Sequence, residues 1–323
     1  MTMRFTSKAV LEQLHGFQRA TVEHGFRRLY LDGDSTRRFL VADETGLGKT
    51  HVARGIIAKT IEHLQDDDAV KRIDIIYVCS NIDIADQNLR KLMVSTVHRK
   101  TPATRLTMLV AQPELLEPLP DDALKPVTFL SFTPATSFDF GWQTGKAEER
   151  AVLYLLLKDV RELQRREDTA LRRILQGNVG SLDGFERYID IRKRGGEDGM
   201  PRWEPGIHRL FMKTYRSSQL RDRVEGLVET VSGRPGLTKE QHGLARQLTA
   251  ELRQMLARCS VKALDPDLII LDEFQRFSDL LATGEERSEA AELANHLFEQ
   301  ETARVLLLSA TPYKPYTPAD EAL

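Results

Sequence analysis

The sequence predicts an α/β protein, a parallel sheet with helices on both faces, interrupted by a mainly helical insertion. Three observations on the 323 residues lead there. Short apolar runs bounded by polar or turn residues alternate with helical patterns, the signature of strands buried on both faces. One such run feeds a glycine-bearing turn that opens a helix, and another ends in two adjacent carboxylates far downstream.

In chain order, Val10, Leu11, Leu14, Phe17, Val22, Phe26 and Leu29 recur at roughly helical spacing and predict an entry helix over 10–30. Phe39-Leu40-Val41-Ala42 reads as a strand, and Val52, Ile56, Ile57, Ile61 and Leu64 as one face of a helix from Lys49 to about Leu64. The run from Ile73 to Cys79 predicts a second strand, followed by a helical segment carrying Ile84, Leu89 and Leu92. Further apolar runs at 106–111, 127–132, 267–271 and 304–309 read as strands of the same sheet. Between about 140 and 265 the alternation stops. The apolar stretch from Ala151 to Leu157 opens a long helical pattern, and Leu244, Leu248, Leu252, Met255 and Cys259 mark another. The expected organisation is therefore a sheet domain in two parts, 1–139 and 265–323, around a helical insertion at 140–264.

Composition limits the function classes. Hydrophobic residues make up 41% and charged residues 29%, which excludes collagen-like and wholly disordered chains. Lys and Arg number 46 against 48 Asp and Glu, a net charge of −2, so any nucleic-acid surface must be a local patch. Cys79 and Cys259 are too few for a disulfide framework and suggest a reduced, cytoplasmic setting. No apolar run approaches the roughly 20 residues of a membrane span, so no membrane partner is expected.

The turn after the first strand reads Asp43-Glu44-Thr45-Gly46-Leu47-Gly48-Lys49-Thr50. Strand, glycine-bearing loop and helix in that order suit a phosphate cradle. Gly46 and Gly48 let successive backbone N–H groups face the phosphates, and the helix N-terminus adds its positive end. Lys49 can reach the β- and γ-phosphates, and the Thr50 hydroxyl can ligate Mg²⁺. Asp43 stands where the general pattern has its first glycine. Downstream, Leu268-Ile269-Ile270-Leu271 delivers Asp272 and Glu273 at a strand's carboxyl end, where parallel sheets bind ligands. Asp272 suits a Mg²⁺ ligand, and Glu273 suits a group that orients and deprotonates an attacking water. A third strand ends in Ser309-Ala310-Thr311.

With these motifs the chain resembles the first RecA-like domain of superfamily 2 helicases and translocases, most of all the Swi/Snf- and RapA-type group, where an Asp-Glu pair also opens the phosphate loop. Asp272-Glu273-Phe274-Gln275 looks like the DExx box, and Ser309-Ala310-Thr311 like the motif that couples hydrolysis to nucleic-acid movement, with Gln275 in a coupling role. Gly16-Phe17-Gln18 resembles the glutamine motif, which implies that Gln18 reads the adenine edge. Ser80, Asn81 and Thr133 would touch the nucleic-acid backbone. The resemblance covers roughly 10–135 and 265–315. It implies ATP and Mg²⁺ as cofactors, duplex DNA as the expected nucleic acid, and hydrolysis coupled to movement along it. The Asp-Glu-Phe-Gln-Arg-Phe and Ser-Ala-Thr-Pro-Tyr strings also bring bacterial helicase-like proteins of phage-defence neighbourhoods to mind, with defence-complex subunits as partners.

The chain departs from that pattern twice. Lys49 and Asp272 lie 223 residues apart, about 120 more than three or four βα units need. The sequence also ends twelve residues after Thr311, before any second RecA-like domain, so the expectation is a motor fragment that turns ATP over slowly. Within the insertion, 187–223 holds ten basic and five acidic residues, with Tyr188, Trp203, Phe211 and Tyr215 as candidate stacking groups for nucleic acid. Solvated helix surface is the competing reading of that stretch. At the level of the whole chain, the competing readings are a nucleotide-switch or binding module and the motor subunit of a restriction or defence complex that translocates without unwinding.

Overall fold

The computed structural model describes residues 5–43, 46–80, 82–94, 98–100, 105–115, 124–134, 144–160, 163–194, 201–276 and 288–310. Two short helices lead in, α1 (Lys8–Leu11) and α2 (Gly16–Phe26), the second running on as a π-helical turn over Arg27–Leu31. Strand β1 (Arg38–Ala42), helix α3 (Lys49–Gln65), strand β2 (Ile73–Val78), helix α4 (Ile82–Leu92), and strands β3 (His98–Lys100) and β4 (Val127–Phe132) follow. Helices α5 (Ala147–Val160), α6 (Arg165–Gln176), α7 (Leu182–Lys193), α8 (Pro205–Arg216), α9 (Gln219–Val231) and α10 (Lys239–Ala263) come next. The chain then returns through β5 (Leu268–Asp272), α11 (Glu289–Phe298) and β6 (Arg304–Ser309).

The chain forms two compact units, one from 1–104, 118–138 and 265–323, the other from 105–117 and 139–264. The first is an α/β unit of the RecA-like kind. Among the described residues its sheet has six strands in the order β1-β6-β5-β2-β4-β3, every ladder parallel. All carboxyl ends therefore share one edge. Every residue of β2 and β4 is buried, which is why those strands read as unbroken apolar runs rather than alternating ones. Val52, Ile56 and Ile57 of α3 pack with Ile75, Ile270 and Leu306 in the core beneath.

The second unit is helical, with a buried ionic cluster at its heart. Glu149 of α5 is 1% exposed and accepts from Arg253 Nη2 (3.0 Å), Thr107 Oγ1 (2.7 Å), Arg105 Nη1 (3.1 Å) and the Lys146 backbone N–H (2.8 Å). Burial pushes its carboxyl up, but Arg253, the Lys146 N–H, Arg105 and Thr107 together hold it below the ordinary carboxylate range.

That cluster corrects two expectations. Leu106–Ala111 is a 3₁₀ helix of the helical unit, not a strand. Arg105 and Thr107 tie it to Glu149, and the Val110 carbonyl accepts the Glu204 N–H at 2.8 Å. Periodicity cannot distinguish a short fully buried run from a strand. The helical unit therefore draws on residues upstream of β4 as well as on 139–264. The entry helix over 10–30 is split in two, because Gln18 Oε1 accepts the His15 N–H at 3.1 Å and starts α2 afresh.

Candidate active site

The loop after β1 takes the form its glycines allow. Gly46 (φ 95°) and Gly48 (φ 85°) both adopt left-handed conformations closed to most side chains, and Gly48 caps α3. A Cβ on Gly48 would fall 2.6 Å from Gln18 Nε2, so glycine is needed there for space as well as for backbone conformation. Lys49 Nζ donates to the Asp43 carbonyl at 2.9 Å, which holds the ammonium against the loop. Gln18, 5% exposed, donates from Nε2 to the Leu47 carbonyl at 3.0 Å. Its amide thus braces the loop from α2, with one N–H and one carbonyl lone pair to spare. Beside it the His15 and Phe17 rings lie parallel with centroids 6.1 Å apart, and Phe17 is 52% exposed, a flat apolar face next to the amide.

Asp272 stands at the carboxyl end of β5 within a network that the sequence did not suggest. Its Oδ2 accepts from Tyr77 Oη at 2.5 Å and from Asn88 Nδ2 at 3.3 Å, while Asn88 also donates to Tyr77 Oη at 3.0 Å. Tyr77 is 1% exposed on β2, opposite Ile270 of β5. Burial and the neighbouring Asp272 carboxylate push its phenol well above the ordinary tyrosine value, so it remains a hydrogen-bond donor. Both bonds fall on Oδ2, which leaves Oδ1 as the oxygen for a cation. Glu273 has φ 54°, the left-handed region that costs a non-glycine residue of order 1–3 kcal/mol. Its carboxylate pairs with Arg276 Nε at 2.8 Å on the surface.

The topology brings these elements to one edge. Strand β6 lies between β1 and β5, so the glycine loop after β1 and Asp272 are two ladder steps apart, about 10 Å at ordinary spacing. Ser309, fully buried, ends β6 opposite Ala42 of β1, and Leu308 pairs with Asp272. Ala310 follows as a bend. Ser80 and Thr133 sit just past β2 and β4, where the Cys79 N–H bonds the Phe132 carbonyl at 3.2 Å. Gln275 follows Glu273 in a helical turn, its Oε1 buried with no partner among the described residues. Glu44, Thr45, Asn81 and Thr311 lie outside the described residues.

The donor set fits a nucleotide triphosphate with a divalent cation. It offers a glycine cradle with left-handed φ values, an ammonium, the Thr50 hydroxyl in the first turn of α3, and a carboxylate with one oxygen free of its network.

In the helical unit, the 187–223 stretch is less of a nucleic-acid surface than its charge suggests. Phe211 and Tyr215 are core residues, 0% and 3% exposed, and cannot stack on bases. Arg221 pairs with Glu225, Arg223 with Glu251 and Lys193 with Asp190. No family model, curated protein or solved structure matches the chain.

Proposed function

We propose that this chain carries the ATP-hydrolysing motor domain of a nucleic-acid-dependent ATPase, a DNA helicase or duplex translocase. The single observation that carries the reading is the placement of the phosphate loop, the Asp272-Glu273 pair and Ser309 on one edge of a parallel sheet, with the Ser309 strand between the other two. Lys49 would bind the β- and γ-phosphates, while Thr50 and Asp272 would hold Mg²⁺, whose charge offsets that of the phosphates. Gln18, beside the exposed Phe17 ring, has the spare donor and acceptor that an adenine edge requires. Glu273 would orient the attacking water and take its proton, once freed from Arg276. Ser309, on the strand between loop and acid, is placed to feel a change on either side. The Swi/Snf-like loop favours duplex DNA as the track.

The test is ATP turnover by the intact protein with and without duplex DNA. Glu273→Gln should cut DNA-stimulated turnover by about 10²–10⁴-fold while leaving ATP binding intact. Lys49→Ala should weaken binding of a fluorescent ATP analogue by roughly 10–100-fold, the loss of one charge-assisted contact. Unchanged turnover in both variants would overturn the assignment. Turnover indifferent to DNA and RNA would replace the motor with a nucleotide switch.

A further inference from the structure

The helical unit contains a second charged feature, distinct from the 187–223 stretch. A cleft of about 920 Å³ is lined by Thr144, Arg173 and Ile174 of α6, Gly177 and Asn178 of the following turn, and Lys239, His242, Gly243, Ala245 and Arg246 of α10. Its described lining has three permanent cations and a histidine, and no carboxylate. The 790 Å³ cleft beside α8 also has three cations, Arg209, Lys213 and Arg216, but Asp159 lies among them and takes His208 Nε2 at 2.7 Å.

Two further facts sharpen the contrast. Lys239, His242 and Arg246 follow i, i+3, i+7 spacing and so form one stripe along α10, and all three are exposed. Beneath the turn on the other wall lies Arg150, 1% exposed. A Cβ on Gly177 would fall 2.9 Å from its Cζ. Arg150 donates to the Leu175 carbonyl (2.8 Å), the Gly145 carbonyl (2.5 Å), the Gln176 carbonyl (3.0 Å) and Asn178 Oδ1 (3.1 Å), all neutral acceptors. Among the described residues it forms no ion pair. A buried guanidinium held by neutral acceptors is costly, and it adds a cation beneath the turn that forms one wall of the cleft, although Glu149 and Glu148 also act on it.

We infer that this cleft binds the phosphate backbone of a nucleic acid, and that it is the nucleic-acid contact of the insertion. The stripe from Lys239 to Arg246 rises about 10.5 Å along the helix, long enough to meet more than one phosphate of a strand. The volume far exceeds what one inorganic phosphate needs. The described lining holds no Trp, Tyr or Phe on which a base could stack, and its charge is that of a surface for phosphates rather than for base edges. The inference rests on the proposed nucleic-acid-dependent function, and its test separates the two.

The probe is a fluorescein-labelled 20-base-pair duplex, beside a 20-nucleotide single strand, titrated with the intact chain between 50 and 200 mM NaCl. Lys239→Gln with Arg246→Gln changes only exposed side chains and should weaken duplex binding at least tenfold. It should also flatten the log–log salt slope by about 1.8, the release of two phosphate contacts. Gly243→Glu offers an independent check: a Cβ there meets nothing within 4 Å, so the acid enters the cleft without disturbing α10 and should weaken binding comparably. Arg209→Gln with Lys213→Gln, in the other cleft, should leave the slope unchanged. If the unaltered chain binds and the α10 variants keep its affinity and slope, the cleft assignment falls and the motor reading survives. If the unaltered chain binds neither probe at 50 mM NaCl, both fall. Selective loss of binding to a poly-glutamate peptide, with DNA binding intact, would reassign the cleft to an acidic protein partner.

Discussion

A fully buried carboxylate in the helical unit and a half-buried one in the sheet unit have opposite outcomes. In the helical unit, Glu149 is surrounded by Arg253, Arg105, Thr107 and a backbone N–H, and its carboxyl is held below the ordinary range. In the sheet unit, Asp267 precedes β5 at the amino ends of the strands. There burial pushes it up to about 7, with Asp74 and Asp265 pushing the same way. The difference follows from what each carboxylate does. Glu149 joins segments far apart in sequence, Arg105–Thr107, α5 and α10, and such a joint requires compensated charge. Asp267 accepts the Asp74 N–H at 2.8 Å through Oδ2, a backbone-positioning bond that favours the carboxylate but is outweighed by burial. Charge is thus structural in the helical core. In the sheet unit charge stands at both ends of the strands, with Asp267 and the Asp74–Arg72 pair at the amino ends and Lys49, Asp272 and Glu273 at the carboxyl edge.

The most severe way to break this contrast is to remove Arg253. Arg253→Met leaves Glu149 buried beside only Arg105, Thr107 and one N–H, and should destabilise the helical unit by about 3–5 kcal/mol. Urea denaturation followed by circular dichroism would show it. The double variant Glu149→Gln with Arg253→Met should recover part of the loss, because the buried carboxylate itself is gone and the Arg105 side chain left behind is partly exposed. A double variant no more stable than Arg253→Met would mean that packing, not charge, holds α5 to α10.

A smaller effect is expected at the carboxyl edge, where the contrast predicts that hydrogen bonds tune chemistry more than stability. Tyr77→Phe removes the 2.5 Å bond to Asp272 Oδ2 and leaves Asn88 as its described partner. ATP turnover should fall about tenfold with little change in KM, and half-maximal turnover should need more Mg²⁺, since the carboxylate is less firmly aimed. Tyr77 would then be a positioning residue. A variant that loses stability while keeping both kcat and Mg²⁺ dependence would make it only a core tyrosine.

How much of this was legible in the sequence depended on the distance over which residues interact. The strands β2, β4, β5 and β6 and the glycine-bearing turn between β1 and α3 were readable because each is a local pattern bounded by polar residues. Leu106–Ala111 was misread because the partners that make it a 3₁₀ helix, Glu149 and Glu204, lie about 40 to 100 residues downstream. The Tyr77–Asp272 bond joins positions 195 apart, and only the parallel register of β2 with β5 reveals it. The one local signal was a tyrosine inside an otherwise apolar strand, whose hydroxyl must find a partner when buried. The cleft on α10 was hidden for the opposite reason: its cations are spread over two helices, whereas 187–223 is a dense local run in which Phe211 and Tyr215 are buried and Lys193, Arg221 and Arg223 are paired.

The mildest expected effect tests the other half of the comparison, the carboxyl of Asp267, where burial outweighs the Asp74 N–H and Arg72. With its pKa raised to about 7 in the fold and near 3.9 in the unfolded chain, folding favours proton uptake between those values. The stabilisation from this group is therefore complete below about pH 4 and is lost as pH rises through 7. Asp267→Asn keeps an oxygen for the Asp74 N–H and removes the buried charge. It should raise stability at pH 8 by on the order of 1–2 kcal/mol and flatten the fall in Tm between pH 5 and 8. Some slope should remain, because Asp74 is also raised by burial despite its pairing with Arg72. If Asp267→Asn is instead less stable than the parent at pH 8, the ionised carboxylate is itself a structural group, and the two units handle buried acid in the same way.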